Sequence, residues 1–269
     1  MKVIKKIGII GYGNMGQALA KALLAETKVP VQVYDKKKLK KTELKGVSLC
    51  ENPAALIKSS GVVVLAIKPQ DVSDFLKEQG SVFLKKKNLL ITIVAAIPTT
   101  VYEKYVDKIR VIRVMPNLAA KISQSVSFLS KGRYASLDDF KTAKKIFSVV
   151  GEAFEIKESF IDKVTSITGS GPGYVYFFMN SLYQTALEMG FNKKQAKEMV
   201  RLTFSGAVNL SACSDKEFSL LMSEVTSPGG TTEAGLNIFK KNKLDKIIAQ
   251  GVESAYLRAK ELSSIYRRV

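Results

Sequence analysis

Residues 7–24 read IGIIGYGNMGQALAKALL. An isoleucine-rich run of four residues opens the stretch as a short β-strand, and Leu19, Leu23 and Leu24 recur further on at helical spacing. Between them Gly11-Tyr12-Gly13-Asn14-Met15-Gly16 fits G-x-G-x-x-G. Glycines so placed permit a tight turn, close approach of backbone to a pyrophosphate, and close packing of helix on strand, while the helix N-terminus supplies a field that favours an anion. The hexamer alone is a weak signal; a strand before it and a helix after it are what give it meaning. The stretch reads as the first strand, turn and helix of a dinucleotide-binding α/β unit.

Working outward, VQVYD (31–35), GVVVLAI (61–67), NLLITIVAA (88–96), RVIRVMPN (110–117), VSFLS (126–130) and AFEIK (153–157) read as strands. PAALIKSS, QDVSDFLKEQ, TTVYEKYV and DDFKTAKKIFSVV read as the helices between them. Such alternation implies a parallel sheet with helices on both faces. From about residue 158 strand patterns disappear and every segment is helix-like. The expected fold class is therefore α/β: a Rossmann-like, doubly wound sheet over 1–157, then an all-helical domain over 158–269 entered directly near Glu158.

Composition narrows the chemistry. The 269 residues contain no histidine, which removes Ser-His-Asp hydrolysis and imidazole acid–base catalysis. The two cysteines, Cys50 and Cys213, give neither a disulfide framework nor a zinc-ligand spacing, so no metal site is expected and a reducing cytoplasm fits. The lysines ahead of the first apolar run do not make a signal peptide, because that run is short and cut by Gly8, Gly11 and Gly13. VVVLAI is too short to span a membrane. The net charge of +18 rests on lysines scattered over solvent-facing helix positions, which reads as a solvated basic surface and not as a nucleic-acid site.

Within the first domain, open α/β sheets bind ligands at the carboxyl ends of their strands. Asp35 closes the second strand, where an acid can accept hydrogen bonds from an adenosine ribose; it can equally be a turn residue. Lys36, Lys37 and Lys38 follow it and suit a 2′-phosphate instead, so the residues leave the cofactor open. Ala66, Lys68 and Pro69 follow the next buried strand, and Ala95 and Ala96 the one after. Small residues there suit a passing cofactor or tight packing, and Lys68 can also be a solvated loop lysine. Asn117 either contacts the nicotinamide or shapes its turn.

In the helical part, VTSPGGTTEAG (225–235) stops one helix and starts another. Proline and two glycines break the helix, and Thr followed by Glu is a start signal whose hydroxyl can cap open amides. One reading is a plain interhelical turn; the other is an anion cradle built from the amides of Gly229, Gly230 and Thr231.

GYGNMG, AIKPQD, RVMPN, TGSGPGYVYFF and VTSPGGTTEAGL, in this order over essentially the whole length, resemble pyrroline-5-carboxylate reductase. The resemblance implies reduction of 1-pyrroline-5-carboxylate to L-proline by NADPH or NADH, with NADPH set slightly ahead, as the last step of proline biosynthesis. It implies a helical domain that forms an intertwined homodimer, assembled further into a decamer, and an active site between the cofactor domain and helices of the dimer. Carried over by position, it places cofactor contacts at Ile10, Gly11, Tyr12, Gly13, Asn14, Met15, Asn52, Ala66, Lys68, Pro69, Ala95 and Ala96. The substrate carboxylate falls on Ser227, Gly229, Gly230 and Thr231, and Thr232 matches the catalytic threonine that hydrogen-bonds the ring nitrogen. Leu118 and Ala119 stand where the family usually has Thr-Pro, and Gly173 where alanine is common.

Overall fold

The computed structural model describes residues 4–37 and 44–267. Strands β1 (Ile7–Ile10), β2 (Val31–Tyr34), β3 (Val47–Leu49), β4 (Val62–Leu65), β5 (Leu89–Thr92), β6 (Arg110–Met115), β7 (Ser125–Lys131) and β8 (Gly151–Glu155) form one sheet. Its order is β3-β2-β1-β4-β5-β6-β7-β8. The strand order reverses between β1 and β4, and in doubly wound sheets the ligand crevice lies beyond the carboxyl ends of strands at such a switch point.

Helices α1 (Asn14–Glu26), α2 (Pro53–Ser59), α3 (Val72–Lys86), α4 (Thr99–Tyr105) and α5 (Leu137–Phe147) cover the sheet. The strand period of two divides the core into two layers. Ile7, Ile9, Val62 and Val64 pack with Leu19 and Leu23 of α1 and Phe140 and Phe147 of α5. Ile10, Val63 and Leu65 pack with Leu56 of α2, Leu76 and Phe83 of α3, and Tyr102 of α4. All four residues of β4 are buried, because both faces of the strand are covered; this is why the segment reads as an unbroken apolar run. Each fully buried aliphatic side chain contributes roughly 1.5–3 kcal/mol.

Two features depart from the expected parallel sheet. β7 pairs antiparallel with β6, whereas the other neighbouring strands pair in parallel. A parallel return needs a crossover of about a dozen residues or more. The chain between Met115 and Ser125 instead makes a short 3-10 turn, Leu118–Ile122, and reverses through Ser123 at φ 57°. The second departure is β3, an edge strand with no counterpart in the sequence reading; it is three residues long and incompletely buried.

Beyond β8 the chain is helical. A 3-10 turn at Glu158–Phe160 leads into α6 (Ile161–Val164), a π-helical turn at Thr165–Gly169, α7 (Gly171–Glu188), α8 (Lys193–Ala212), α9 (Phe218–Glu224), α10 (Thr231–Lys241) and α11 (Leu244–Arg267). The compact sheet unit nevertheless continues to Ser170 and includes the stretch from Ala255, leaving Gly171–Ser254 as the second unit. The cause is local. Buried Arg113 of β6 lies 3.4 Å from Glu158 and 3.5 Å from Asp162, and the Ser263 hydroxyl donates to Asp162 at 2.9 Å. A Cβ on Gly169 would stand 2.9 Å from Met115 Cε, so this glycine permits close packing against the sheet unit. No described helix is long and apolar enough to cross a membrane.

Candidate active site: a dinucleotide cradle and an anion-binding loop

The glycine turn has the geometry its spacing demands. Gly11 sits at φ 97°, and a Cβ there would lie 2.4 Å from the Ala66 carbonyl oxygen. At Gly16, in the first turn of α1, a Cβ would lie 2.1 Å from the Gly11 carbonyl oxygen, so only glycine lets the helix meet the strand end. Gly13, the N-cap of α1, is the opposite case: a Cβ would meet nothing within 4 Å. That leaves open space beside first-turn amides, which favour an anion.

A cavity of about 480 Å³ opens at this turn. Ile10, Gly11, Tyr12, Gly13, Asp35, Ala66 and Lys68 line it together, drawn from the carboxyl ends of β1, β2 and β4. Asp35 is held in place twice: Oδ2 accepts the Tyr12 amide at 2.7 Å and Oδ1 accepts the Lys37 amide at 2.9 Å. Lys36 reaches across to Asp71 at 2.8 Å. Lys38 lies outside the described residues.

The other expected cofactor residues do not line this cavity. Asn14 is exposed at the first position of α1, and Met15 is half-buried against the core. Asn52 caps α2, its side-chain oxygen accepting the Ala55 amide at 2.8 Å, while its neighbour Pro53 lines the cavity. Pro69 begins the 3-10 turn Pro69–Asp71. Ala95 is exposed after β5, and Ala96 is buried at φ 63°. Asn117 shapes its turn, its side chain accepting the Ala119 amide at 3.2 Å.

One wall was not foreseen. Asp71, Asp74, Phe75 and Glu78 line the cavity at spacing i, i+3, i+4, i+7, one face of the segment that becomes α3. Tyr34 and Ile67 complete it. The spacing was readable, but Phe75 resembles a core residue and the acids resemble a solvated helix face.

The second unit carries the other candidate site. Ser227–Gly230 is a β-turn closed by the Gly230 amide donating to the Ser227 carbonyl at 3.0 Å. Pro228 takes the second position and Gly229, at φ 71°, the third, the residue types a type II turn selects. The turn delivers the chain into α10 with Gly230 as N-cap. The sequence suggested a threonine hydroxyl as the cap; no side chain of the N-cap residue does this. Instead the Glu233 carboxylate accepts the Gly229 amide at 2.8 Å. Gly229 is thus engaged within its own loop. Thr231 and Thr232 occupy the first two helical positions, where amides have no carbonyl partner within the helix. Both threonines are exposed.

Among the described residues no cluster of three or more acidic or cysteine side chains is arranged to hold a metal.

Comparison with known proteins places this arrangement. Residues 158–262 match the family model for pyrroline-5-carboxylate reductase dimerisation, and residues 6–96 match that for NADP oxidoreductase, coenzyme F420-dependent. Pyrroline-5-carboxylate reductase 2 of Bacillus subtilis is 32% identical over 96% of this chain and 95% of its own length. The reductase of Methanosarcina acetivorans is 33% identical over 96% of this chain and 98% of its own. Among solved structures, the pyrroline carboxylate reductase of Plasmodium falciparum with NADP bound superposes with a TM-score of 0.88 at 27% identity, covering 98% of this chain and 99% of that one. The Coxiella burnetii pyrroline-5-carboxylate reductase gives 0.89 at 28% identity, with 97% and 99% covered. Likeness that spans both the glycine cradle and the helical region, at full length and above 30% identity to curated relatives, leaves one conclusion: the chain belongs to the pyrroline-5-carboxylate reductase family.

Proposed function

We propose that this chain reduces 1-pyrroline-5-carboxylate to L-proline at the expense of NAD(P)H. The observation that carries the reading is the Ser227–Gly230 turn running into α10, because the substrate is a small anion with a C=N bond. Such a ring needs fixed amide donors for its carboxylate and a hydroxyl near its nitrogen. Thr231 and Thr232 offer open first-turn amides at the positive end of a helix. The Thr232 hydroxyl is the group assigned to the ring nitrogen, where it can donate or accept a proton's hydrogen bond. Gly229 supports the site indirectly, through the Glu233 latch that fixes the turn.

The cradle formed by Gly11, Gly13 and Gly16 fits a dinucleotide: its missing side chains leave the backbone approachable and Gly13 faces open space. When bound, the reduced nicotinamide supplies the hydride. Asp35 orients the ribose end, and Ile67, Phe75 and Pro53 give apolar wall. Lys68, Ala95, Ala96 and Asn117 are assigned to the nicotinamide end. The protein's contribution is positioning and stabilisation of changing charge. No imidazole or metal is required for it.

The functional unit is a homodimer through the helical region. In the single chain, Phe177 is 69% and Phe218 79% exposed, apolar side chains that a second copy packed on the helical region can bury. Further assembly to a decamer and a cytoplasmic place in proline synthesis accord with this reading. The test is consumption of reduced nicotinamide, followed by its absorbance, with pyrroline-5-carboxylate as the varied substrate. Dependence of the rate on both reactants supports the proposal; no consumption with either NADH or NADPH refutes it.

A further inference from the structure

We propose that Asp35 makes this chain select NADH, with its free ribose 2′-hydroxyl, over NADPH. The assignment rests on the dinucleotide reading of the cavity and reverses the slight preference for NADPH stated with the sequence.

Three observations carry it. First, Asp35 is fixed at the end of β2, where the ribose of a dinucleotide lies in a doubly wound fold. Its two oxygens each accept a backbone amide, from Tyr12 at 2.7 Å and Lys37 at 2.9 Å. These bonds stop the carboxylate from swinging away. A carboxylate has lone pairs left to accept from a 2′-hydroxyl. A 2′-phosphate brought to the same place meets a like charge that cannot withdraw.

Second, one of the lysines that could neutralise such a phosphate is engaged elsewhere. Lys36 Nζ lies 2.8 Å from Asp71 Oδ1, on the opposite wall of the cavity. Recruiting it for a phosphate means breaking that pair.

Third, the wall that the sequence did not predict is acidic. Asp71, Asp74 and Glu78 join Asp35 around the cavity, so its described lining carries four carboxylates against the three ammonium groups of Lys36, Lys37 and Lys68. The chain as a whole has 42 basic and 24 acidic residues. A described lining with more carboxylates than ammonium groups, in so basic a protein, disfavours the extra negative charge of NADPH.

The experiment is equilibrium binding of NADH and of NADPH to the full-length protein at one fixed salt concentration, with Asp35→Asn and Asp71→Asn beside the unsubstituted chain. NADH is expected to bind about tenfold or more tightly than NADPH. Asp35→Asn is expected to move the two affinities in opposite directions, weakening NADH severalfold and tightening NADPH. Asp71→Asn, which leaves the Asp35 anchor intact and releases Lys36, is expected to tighten NADPH severalfold with NADH little changed. It keeps the test decisive if thermal denaturation shows that Asp35→Asn has lost its fold. Equal or tighter binding of NADPH by the unsubstituted chain overturns the inference, as does Asp35→Asn weakening both nucleotides alike. If neither nucleotide binds, the dinucleotide reading itself fails, and the two failures are thereby distinguished.

Discussion

Tyr12 donates its amide hydrogen to Asp35 Oδ2 at 2.7 Å, tying the second residue of the glycine turn to the end of the neighbouring strand. One carboxylate thus braces the glycine turn and lines the cavity that opens beside it. Asp35→Ala removes the acceptor from two backbone amides. The expected result is a stability loss of about 1–2 kcal/mol by calorimetry or denaturant titration, together with weaker binding of NADH.

The glycines of the turn separate folding from binding. Gly16→Ala puts a carbon 2.1 Å from the Gly11 carbonyl oxygen, so α1 must shift; about 2 kcal/mol or more of stability and at least tenfold in nucleotide affinity are expected to go together. Gly13→Ala meets nothing within 4 Å and is expected to leave the melting temperature nearly unchanged while weakening nucleotide binding. Paired melting and binding measurements check both. An unaltered affinity for Gly13→Ala would mean that the pyrophosphate lies elsewhere.

Thr232→Ala is expected to lower kcat by about 10- to 1000-fold with nucleotide affinity little changed, the loss of one hydrogen bond made in the transition state. Steady-state rates with substrate saturating measure it, and an unchanged kcat removes Thr232 from the chemistry.

Arg113 is 3% exposed and holds Glu158 and Asp162, while Glu158 also accepts the Thr99 amide and hydroxyl, both at 2.7 Å. Removing the cation leaves two carboxylates facing each other at a partly dry site. Arg113→Met is expected to cost about 2–4 kcal/mol, at or below the range for breaking a buried pair because the acids keep some water contact. Glu158→Gln keeps an acceptor for Thr99 and is expected to cost about 1 kcal/mol. Denaturant titration of the two variants ranks them.

Tyr102 is fully buried, and burial pushes its phenol well above the usual tyrosine range despite its 2.6 Å hydrogen bond with Thr92. A folded pKa above the unfolded one means that the folded state binds the proton more tightly. Its contribution is complete below the unfolded value near 10 and is lost as pH rises beyond it. Tyr102→Phe is therefore expected to cost about 1 kcal/mol at neutral pH from the lost hydrogen bond, and progressively less above about pH 10. Stability measured at pH 7 and at pH 10.5 tests the sign.

Much of the fold was legible because its signals are local. β4 is apolar throughout since both of its faces are buried, and G-x-G-x-x-G announces its turn through glycines that steric contact requires at 11 and 16. What was not legible depends on partners distant in sequence or on weak pattern. β3 offers three incompletely buried residues at an edge, and the antiparallel entry of β7 follows from the shortness of its connection rather than from its own residues. Around the cavity, Asp35, Ala66 and Lys68 were expected from their strand-end positions, Ala95, Ala96 and Asn117 were expected there and do not line it, and the α3 wall was hidden, since an acidic helix face has the same pattern whether it meets water or a cavity. The Glu233 latch on Gly229 was hidden for a similar reason: a glutamate three residues into a helix announces a cap without saying which amide it will take.

The most direct test of the central claim follows the transferred hydrogen. With reduced nicotinamide carrying deuterium at its hydride position and pyrroline-5-carboxylate as substrate, the chain is predicted to yield L-proline bearing one deuterium on the carbon that was the imine carbon. Proline without deuterium, or deuterium at any other carbon, would contradict it.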